Sequence, residues 1–339
     1  MSITIRELSL KLELSVSAVS KALNGYPDIS EETRERVLQA AREYGYQPSA
    51  AARNLRRQKT NKIGLVFNYP IEWVRDFLSE LLPSIASVAE EANYHVTLYT
   101  SMHGNADAIL KLSRSREFDG MILGWPLDIA GTATIVQSMQ NEGVPCVVIP
   151  RRLPHPAVSF VAADHYTIGY ALAEHLLSIG HHRIGYVGRS DVYETNSDRI
   201  VGYRHAHQEA GVPVDEALLI DTDSSVPRNG ETALDHFLAM DNPPTAVMFF
   251  TDPQAIAALQ HAQQQGLRIP EDIAITGCDG SLIASVCNPP LTTVRQPIPD
   301  MGRTAVKTLL SLIDDSGQSA IQTTLPAQLI VRGSTVTTD

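Results

Sequence analysis

The chain has 339 residues, of which 43% are apolar, 19% charged and 6% aromatic, the balance of a folded protein of two or three domains rather than of a disordered chain or one small module. It holds no run of about 18 apolar residues, no basic-then-apolar leader and only three irregularly spaced cysteines, Cys146, Cys278 and Cys287, which argues against a membrane span, secretion, a metal cluster or a disulfide framework and for a reducing cytoplasm. The net charge of −11 is uneven: residues 1–62 hold 11 Lys+Arg against 7 Asp+Glu, a net +4, and the other 277 carry −15, so a small basic head suited to nucleic acid precedes a large acidic body.

The head reads as three short helices. Thr4 with Glu7 forms a capping-box pattern for a first helix reaching about Leu12. Ser15 can cap a second, ending at Asn24-Gly25, in which Val19, Ala22 and Leu23 form the inward stripe while Ser17, Ser20, Lys21 and Asn24 recur at helical spacing and face out. Ser30 can cap a third, with Val37, Ala40, Ala41 and Tyr44 inward and Gly45 closing it. Two short helices joined by a tight turn and braced by a third fit a helix-turn-helix, whose small polar outer face can approach bases; by periodicity alone they equally fit any three-helix fragment.

Tyr46 to Lys62 carries five basic residues and no acid. Its Ala-rich stretch favours helix but, at about eight residues, falls below the roughly 12–15 that an isolated helix needs. It is expected to fold only with help, such as neutralised phosphates and an apolar wedge between base steps, for which Leu55 amid arginines is the candidate; a solvated basic linker is the alternative.

Together, Ile5-Arg6-Glu7-Leu8, Ser15 through Gly25, Ser30 to Tyr46, Pro48 and Ala52-Arg53-Asn54-Leu55 closely resemble the lactose/galactose repressor family of bacterial transcriptional regulators. The resemblance implies that Val16, Ser17 and Lys21 occupy base-reading positions and that Leu55 is levered into the minor groove at the operator centre. Ser15, Ser20, Asn24, Ala52, Arg53 and Arg56 complete the expected DNA-binding set. The chain departs from the family before the second helix, where small residues and a glycine are replaced by Ser9, Leu12 and Glu13.

From Lys62 onward short apolar runs alternate with helical stretches. Ile63–Phe67 is followed by a helix from about Phe77 to Asn93, then His95–Tyr99, Met121–Leu123 and Cys146–Ile149. A second series runs through Ile184–Val187, Ala246–Phe250 and Ile273–Ile275. This alternation predicts two parallel sheets covered by helices on both faces. Such sheets place ligands beyond the carboxyl ends of their strands, so two of them make a cleft that can close on a small molecule. Asp164, Thr251 with Asp252, and Asp279 follow strands at that edge, with Arg199 and Gly202 at the head of a helix near it; each aspartate taken singly fits a plain helix cap. Chain crossings are expected near Phe160–Asp164, Thr292–Gln296 and Ser316–Pro326, with a helix from about Pro299 to Ile313 in the first half and a last strand, Gln328–Val331, returning to the second.

The family resemblance extends through the body, including Gly180-His181, Arg199 with Gly202-Tyr203, Gly277-Cys278-Asp279 and Val331-Arg332-Gly333. It implies that Asp164, Arg199, Thr251 and Asp279 bind effector hydroxyls, although Thr251 stands where asparagine is often found. Carboxylates and a guanidinium suit sugars, which both donate and accept hydrogen bonds; an aromatic wall is expected from Trp73 or Phe250. Enzyme signatures are missing: there is no G-x-G-x-x-G after a strand, no phosphate-binding loop, no G-x-S-x-G and no H-E-x-x-H, and His181-His182 lack metal-ligand spacing. A periplasmic sugar-binding protein would account for the body but not for the head.

The fold class expected is a small all-α helix-turn-helix head (1–48) joined by a hinge helix and linker (49–61) to an α/β periplasmic-binding-protein-like body (62–339). That body comprises two doubly wound parallel-sheet subdomains, about 62–161 plus 294–323 and about 162–293 plus 324–339. The expected function is that of a cytoplasmic transcriptional regulator, most simply a repressor, that binds a near-palindromic operator as a homodimer or higher oligomer. Its effector is expected to be a small sugar or sugar derivative, with no cofactor, metal or membrane involved.

Overall fold

The computed structural model describes residues 3–46, 59–67, 71–100, 106–124, 129–153, 155–189, 194–222, 226–315 and 317–336, with 71–74, 129–130 and 189 described as backbone only. They form two units, residues 1–61 and 62–339.

In the first unit, helix α1 (Ile5–Leu12) starts on the expected capping box: the Glu7 amide donates to Thr4 Oγ1 and the Thr4 amide to the Glu7 carboxylate at 2.7 Å. It ends on Glu13, which holds the left-handed conformation (φ 55°) while the Leu14 amide closes back onto the Ser9 carbonyl. Helix α2 (Val16–Leu23) is capped by Ser15, and α3 (Glu31–Glu43) by Ser30. Leu8, Val19, Ala22, Val37, Ala40 and Ala41 form the core. Tyr44 does not join it as expected: it lies past the last helical turn, 39% exposed, with the Lys11 ammonium 4.5 Å from its ring centroid. An amphipathic ring at a helix end keeps its polar tip wet.

In the second unit a six-stranded parallel sheet runs β11-β5-β4-β3-β1-β2, where β1 is Lys62–Phe67, β2 His95–Thr100, β3 Gly120–Gly124, β4 Cys146–Ile149, β5 Phe160–Ala163 and β11 Gln322–Leu325. Strand residues alternate between two cores, as a period of two demands. Ile63, Leu65 and Phe67 pack with α4 (Ile71–Glu91) and α12 (Ile298–Asp314), through Leu81, Ile85, Met301 and Leu309. Val66, Met121, Leu123 and Val148 pack on the other face with α5 (Ala106–Arg114) and α6 (Ile129–Asn141), through Ile109, Ile135 and Met139. Helix α4 begins six residues before the expected Phe77 and runs through Pro83.

A four-stranded parallel sheet runs β7-β6-β8-β9, where β6 is Ile184–Arg189, β7 Leu219–Thr222, β8 Ala246–Phe249 and β9 Ala274–Thr276. On one face it carries α7 (His165–Ser178) and α8 (Glu194–Glu209), and on the other α9 (Pro227–Leu238) and α10 (Asp252–Gln264). A short α11 (Leu282–Val286) follows β9. Helices α7 and α8 meet at glycines: a Cβ on Gly169 would fall 2.0 Å from the Arg199 carbonyl oxygen, and one on Gly202 2.1 Å from that of Tyr166. Beside this sheet, β10 (Thr293–Arg295) and β12 (Gln328–Ile330) pair as an antiparallel ribbon, with Val294 and Leu329 in the same core.

Candidate functional site

In the head, the described DNA-binding candidates separate into two groups. Val16, Ser17 and Asn24 are exposed and Lys21 is half-exposed, so the outer face of α2 is as small and polar as the spacing predicts. Ser15 uses its hydroxyl to accept the Ala18 amide at 3.1 Å, and Asn24 Nδ2 donates to the Ser20 carbonyl at 2.7 Å. Ser20 itself corrects the reading. It is 7% exposed, because it flanks the Val19 stripe where the bundle closes over a small side chain. Lys21 is ion-paired with Asp28. Ala52, Arg53, Leu55 and Arg56 lie outside the described residues.

In the body, the carboxyl edge of the four-stranded sheet gathers most of the expected residues. Asp164 caps α7, accepting from the Thr167 amide at 3.1 Å and its hydroxyl at 2.6 Å. Thr251 caps α10 and donates its hydroxyl to Gln254 Oε1 at 3.2 Å. These are the helix-capping roles weighed for such positions. Arg199 is not at a helix head: α8 starts five residues earlier, which buries Arg199 to 4% exposure in its second turn. There Nη1 donates to the Phe250 carbonyl at 2.8 Å and Nε to His165 Nδ1 at 3.4 Å, with the guanidinium carbon 4.3 Å from the Phe250 ring centroid. A cation over a ring face in a desolvated site is held in a fixed plane.

Asp279 accepts from the Asp252 amide at 2.9 Å and from Gln296 Nε2 at 3.3 Å. Burial, and then the Asp252 carboxylate, push its carboxyl up to about 8, against the Asp252 amide and Arg199, which favour the anion. Asp252 is fully buried and accepts from Thr293 Oγ1 (2.6 Å), the Asp279 amide (3.2 Å) and both the amide and hydroxyl of Ser281 (2.8 Å). It knots the β8, β9 and β10 ends together. Burial, then Arg199 and Arg152, hold the His165 imidazole well below its usual value. With Nδ1 accepting from Arg199, the neutral ring carries its proton on Nε2.

Among the described residues two ion pairs join the lobes: Arg152 to Asp198 at 3.0 Å and Arg295 to Glu80 at 3.6 Å. Sequence reasoning missed His165, Gln296 and the Arg152–Asp198 pair. The double arginine Arg151-Arg152 just beyond β4 was the one local signal for the last of these. Trp73 belongs to the first turn of α4, and its side chain is outside the description. Among the described residues no cluster of His, Cys, Asp or Glu could hold a metal, and no helix is long and apolar enough to cross a membrane.

Residues 4–49 match the model for bacterial regulatory proteins of the lacI family, and residues 173–335 match a periplasmic binding protein-like domain. The chain is 31% identical over 337 residues to the HTH-type transcriptional regulator DegA of Bacillus subtilis (strain 168), which covers 99% of this chain and 98% of that protein. It is also 31% identical to the HTH-type transcriptional repressor CytR of Escherichia coli (strain K12), over 98% and 96% of the two chains. Among solved structures, the complex of the transcriptional regulator CelR with cellobiose superposes with a TM-score of 0.72 at 27% identity, covering 98% of this chain and 99% of that one. Relatives of this kind are DNA-binding transcriptional regulators rather than enzymes, and this chain belongs with them, in the lacI family of bacterial regulatory proteins.

Proposed function

We propose that the chain is a homodimeric repressor, working in the cytoplasm, whose hold on a near-palindromic operator is set by a small carbohydrate or sugar derivative bound between the two lobes. The observation that carries this reading is the convergence of Arg199, Phe250 and Asp279, with Gln296 from the segment just past β10, at the carboxyl edge of one sheet. It offers a fixed guanidinium, a carboxyl and an aromatic face, the groups that hydroxyls and a sugar ring can use. Asp164 and Thr251 border it, and Trp73 is kept as the second candidate for an aromatic wall. CelR, a structural neighbour, is seen with cellobiose.

Residues 1–48 serve as the reading head and 49–61 as a connector that gains helix on DNA. Val16, Ser17 and Lys21 take base edges, Ser15, Asn24, Ala52, Arg53 and Arg56 take the backbone, and Leu55 opens the central step. The dimer is supported by α11, where Leu282, Ile283 and Val286 are 82%, 54% and 72% exposed, an apolar stripe that a second copy would cover. Closure of the lobes on a ligand alters the anchor of the connector, and the coupling expected is about five- to 150-fold in operator affinity.

Thermal unfolding with a panel of sugars, sugar phosphates, nucleosides and purines tests the reading, since a ligand at about 100 times its dissociation constant adds roughly 2.7 kcal/mol. A stabilising sugar that also shifts operator affinity is the expected result. Stabilisation by a purine or nucleoside alone would reject the carbohydrate.

A further inference from the structure

His165 opens α7 at the carboxyl edge of the second lobe, next to the Asp164 cap, and is 5% exposed. Arg199 always carries its protons, so the 3.4 Å bond from its Nε makes His165 Nδ1 the acceptor and leaves the ring proton on Nε2. That Nε2–H is buried and has no hydrogen-bond partner among the described residues. A second orphan stands on the same seam. Glu194, in the first turn of α8, has Oε2 buried and likewise unpartnered, and burial raises its carboxyl against the pull of Arg151 and Arg152 from the first lobe. Arg152 also acts on the charge of His165, so both orphans lie where Arg152 reaches across to Asp198. A buried polar group left unmade costs more than a made bond gains, so native folds keep few of them without a completing partner.

We propose that His165 is a specificity-determining residue of the effector site: its Nε2–H donates to a hydroxyl oxygen on the end of the effector nearest Arg152, and Glu194 Oε2 accepts a hydroxyl proton there. The inference rests on the carbohydrate reading above and narrows it to a sugar with free hydroxyl at that end. A hydroxyl serves both groups because it accepts and donates, whereas an ether oxygen offers Glu194 no proton and an apolar substituent satisfies neither. Lobes closing over a compound without that hydroxyl bury the imidazole N–H unmade. The right sugar completes it, so closure itself reads the position, with a discrimination of about five- to 150-fold.

The full chain is titrated calorimetrically with D-glucose, D-galactose, D-ribose, trehalose and cellobiose, and the tightest binder is carried forward with its monodeoxy analogues. In the wild type one analogue should bind about five- to 150-fold more weakly than its parent sugar. In His165→Phe the parent should fall to the level of that analogue, so the ratio between the two drops to about one while the ratios at other positions hold. His165→Gln, whose side-chain amide offers an N–H at similar reach, should keep part of the ratio. Glu194→Leu should level the ratio at the same or the neighbouring hydroxyl, and no levelling there removes Glu194 from the pair. A pocket that is only disturbed weakens parent and analogues together and leaves the ratios standing.

Unchanged ratios in His165→Phe, whether or not overall affinity falls, overturn the proposal and assign the Nε2–H to a buried water. A flat deoxy series in a wild type that binds its sugar also overturns it and leaves the carbohydrate reading intact. If none of the probes binds the wild type, the carbohydrate reading fails first and carries the proposal with it.

Discussion

The guanidinium of Arg199 lies over the Phe250 ring, 4.3 Å from its centroid, and donates to the carbonyl oxygen of that same residue at 2.8 Å. One residue thus fixes both the plane and the edge of the fork, leaving its remaining donors directed by the fold. Arg199→Lys keeps the charge but loses the stack and the fork. It should weaken binding of the stabilising sugar by about tenfold or more, the range for a hydrogen bond to a charged group. Titration calorimetry reads this directly, and unchanged affinity would remove Arg199 from the ligand site.

Asp279 makes stability depend on pH with a definite sign. Its carboxyl sits at about 8 in the folded chain against an ordinary 3.8, so between those values the native state holds a proton that the unfolded state has lost. The stability tied to that proton is complete below about pH 4, falls as pH rises and is gone above about pH 8. Asp279→Asn, which never ionises, should therefore show a flatter thermal midpoint across that window than the wild type. Parallel curves for the two proteins would contradict the raised value.

Gly169 couples helix packing to the ligand site, because its missing Cβ leaves room for the Arg199 carbonyl. Gly169→Ala must push α8 away from α7, a backbone shift that costs about 1–3 kcal/mol. Its urea unfolding free energy should fall by that amount, lowering the midpoint, and ligand affinity should fall as well, since Arg199 moves with its helix. A midpoint within error of the wild type would mean that the helices separate freely.

Glu13 occupies a left-handed position at the end of α1, at φ 55°, which glycine adopts without the steric penalty of a Cβ. Glu13→Gly should stabilise the head by about 1 kcal/mol. In the full chain this appears as roughly five-fold slower amide exchange in α1 and α2, and faster or unchanged exchange would count against the conformation.

The layered body is legible from the chain because each buried strand is a continuous apolar run, and the helix starts because Thr4, Ser15 and Ser30 are local caps. What the sequence conceals is contact at a distance. Ser20 looks outward on a wheel drawn for α2 alone, which contains nothing of α3. Arg199 looks like the start of a helix because the five residues before it have no apolar period. Gln296 reaches Asp279 from the segment just past β10, and Arg152 meets Asp198 from the other lobe. Neither partner is marked by spacing, since only the assembled topology brings those residues together.

The ribbon formed by β10 and β12 has a mechanical consequence. The passages beyond Arg295 and before Gln328 are zipped edge to edge at their roots, Thr293 to Ile330 and Arg295 to Gln328, and Val294 and Leu329 seat that ribbon in the core of the four-stranded lobe, so both roots move with that lobe as one leaf, like the plate of a door hinge. The remaining passage, at Ala163–Asp164, acts as a lone pin. A swing of one lobe on the other is therefore expected to bend the chain just past leaf and pin, and Gln296 stands immediately beyond the leaf.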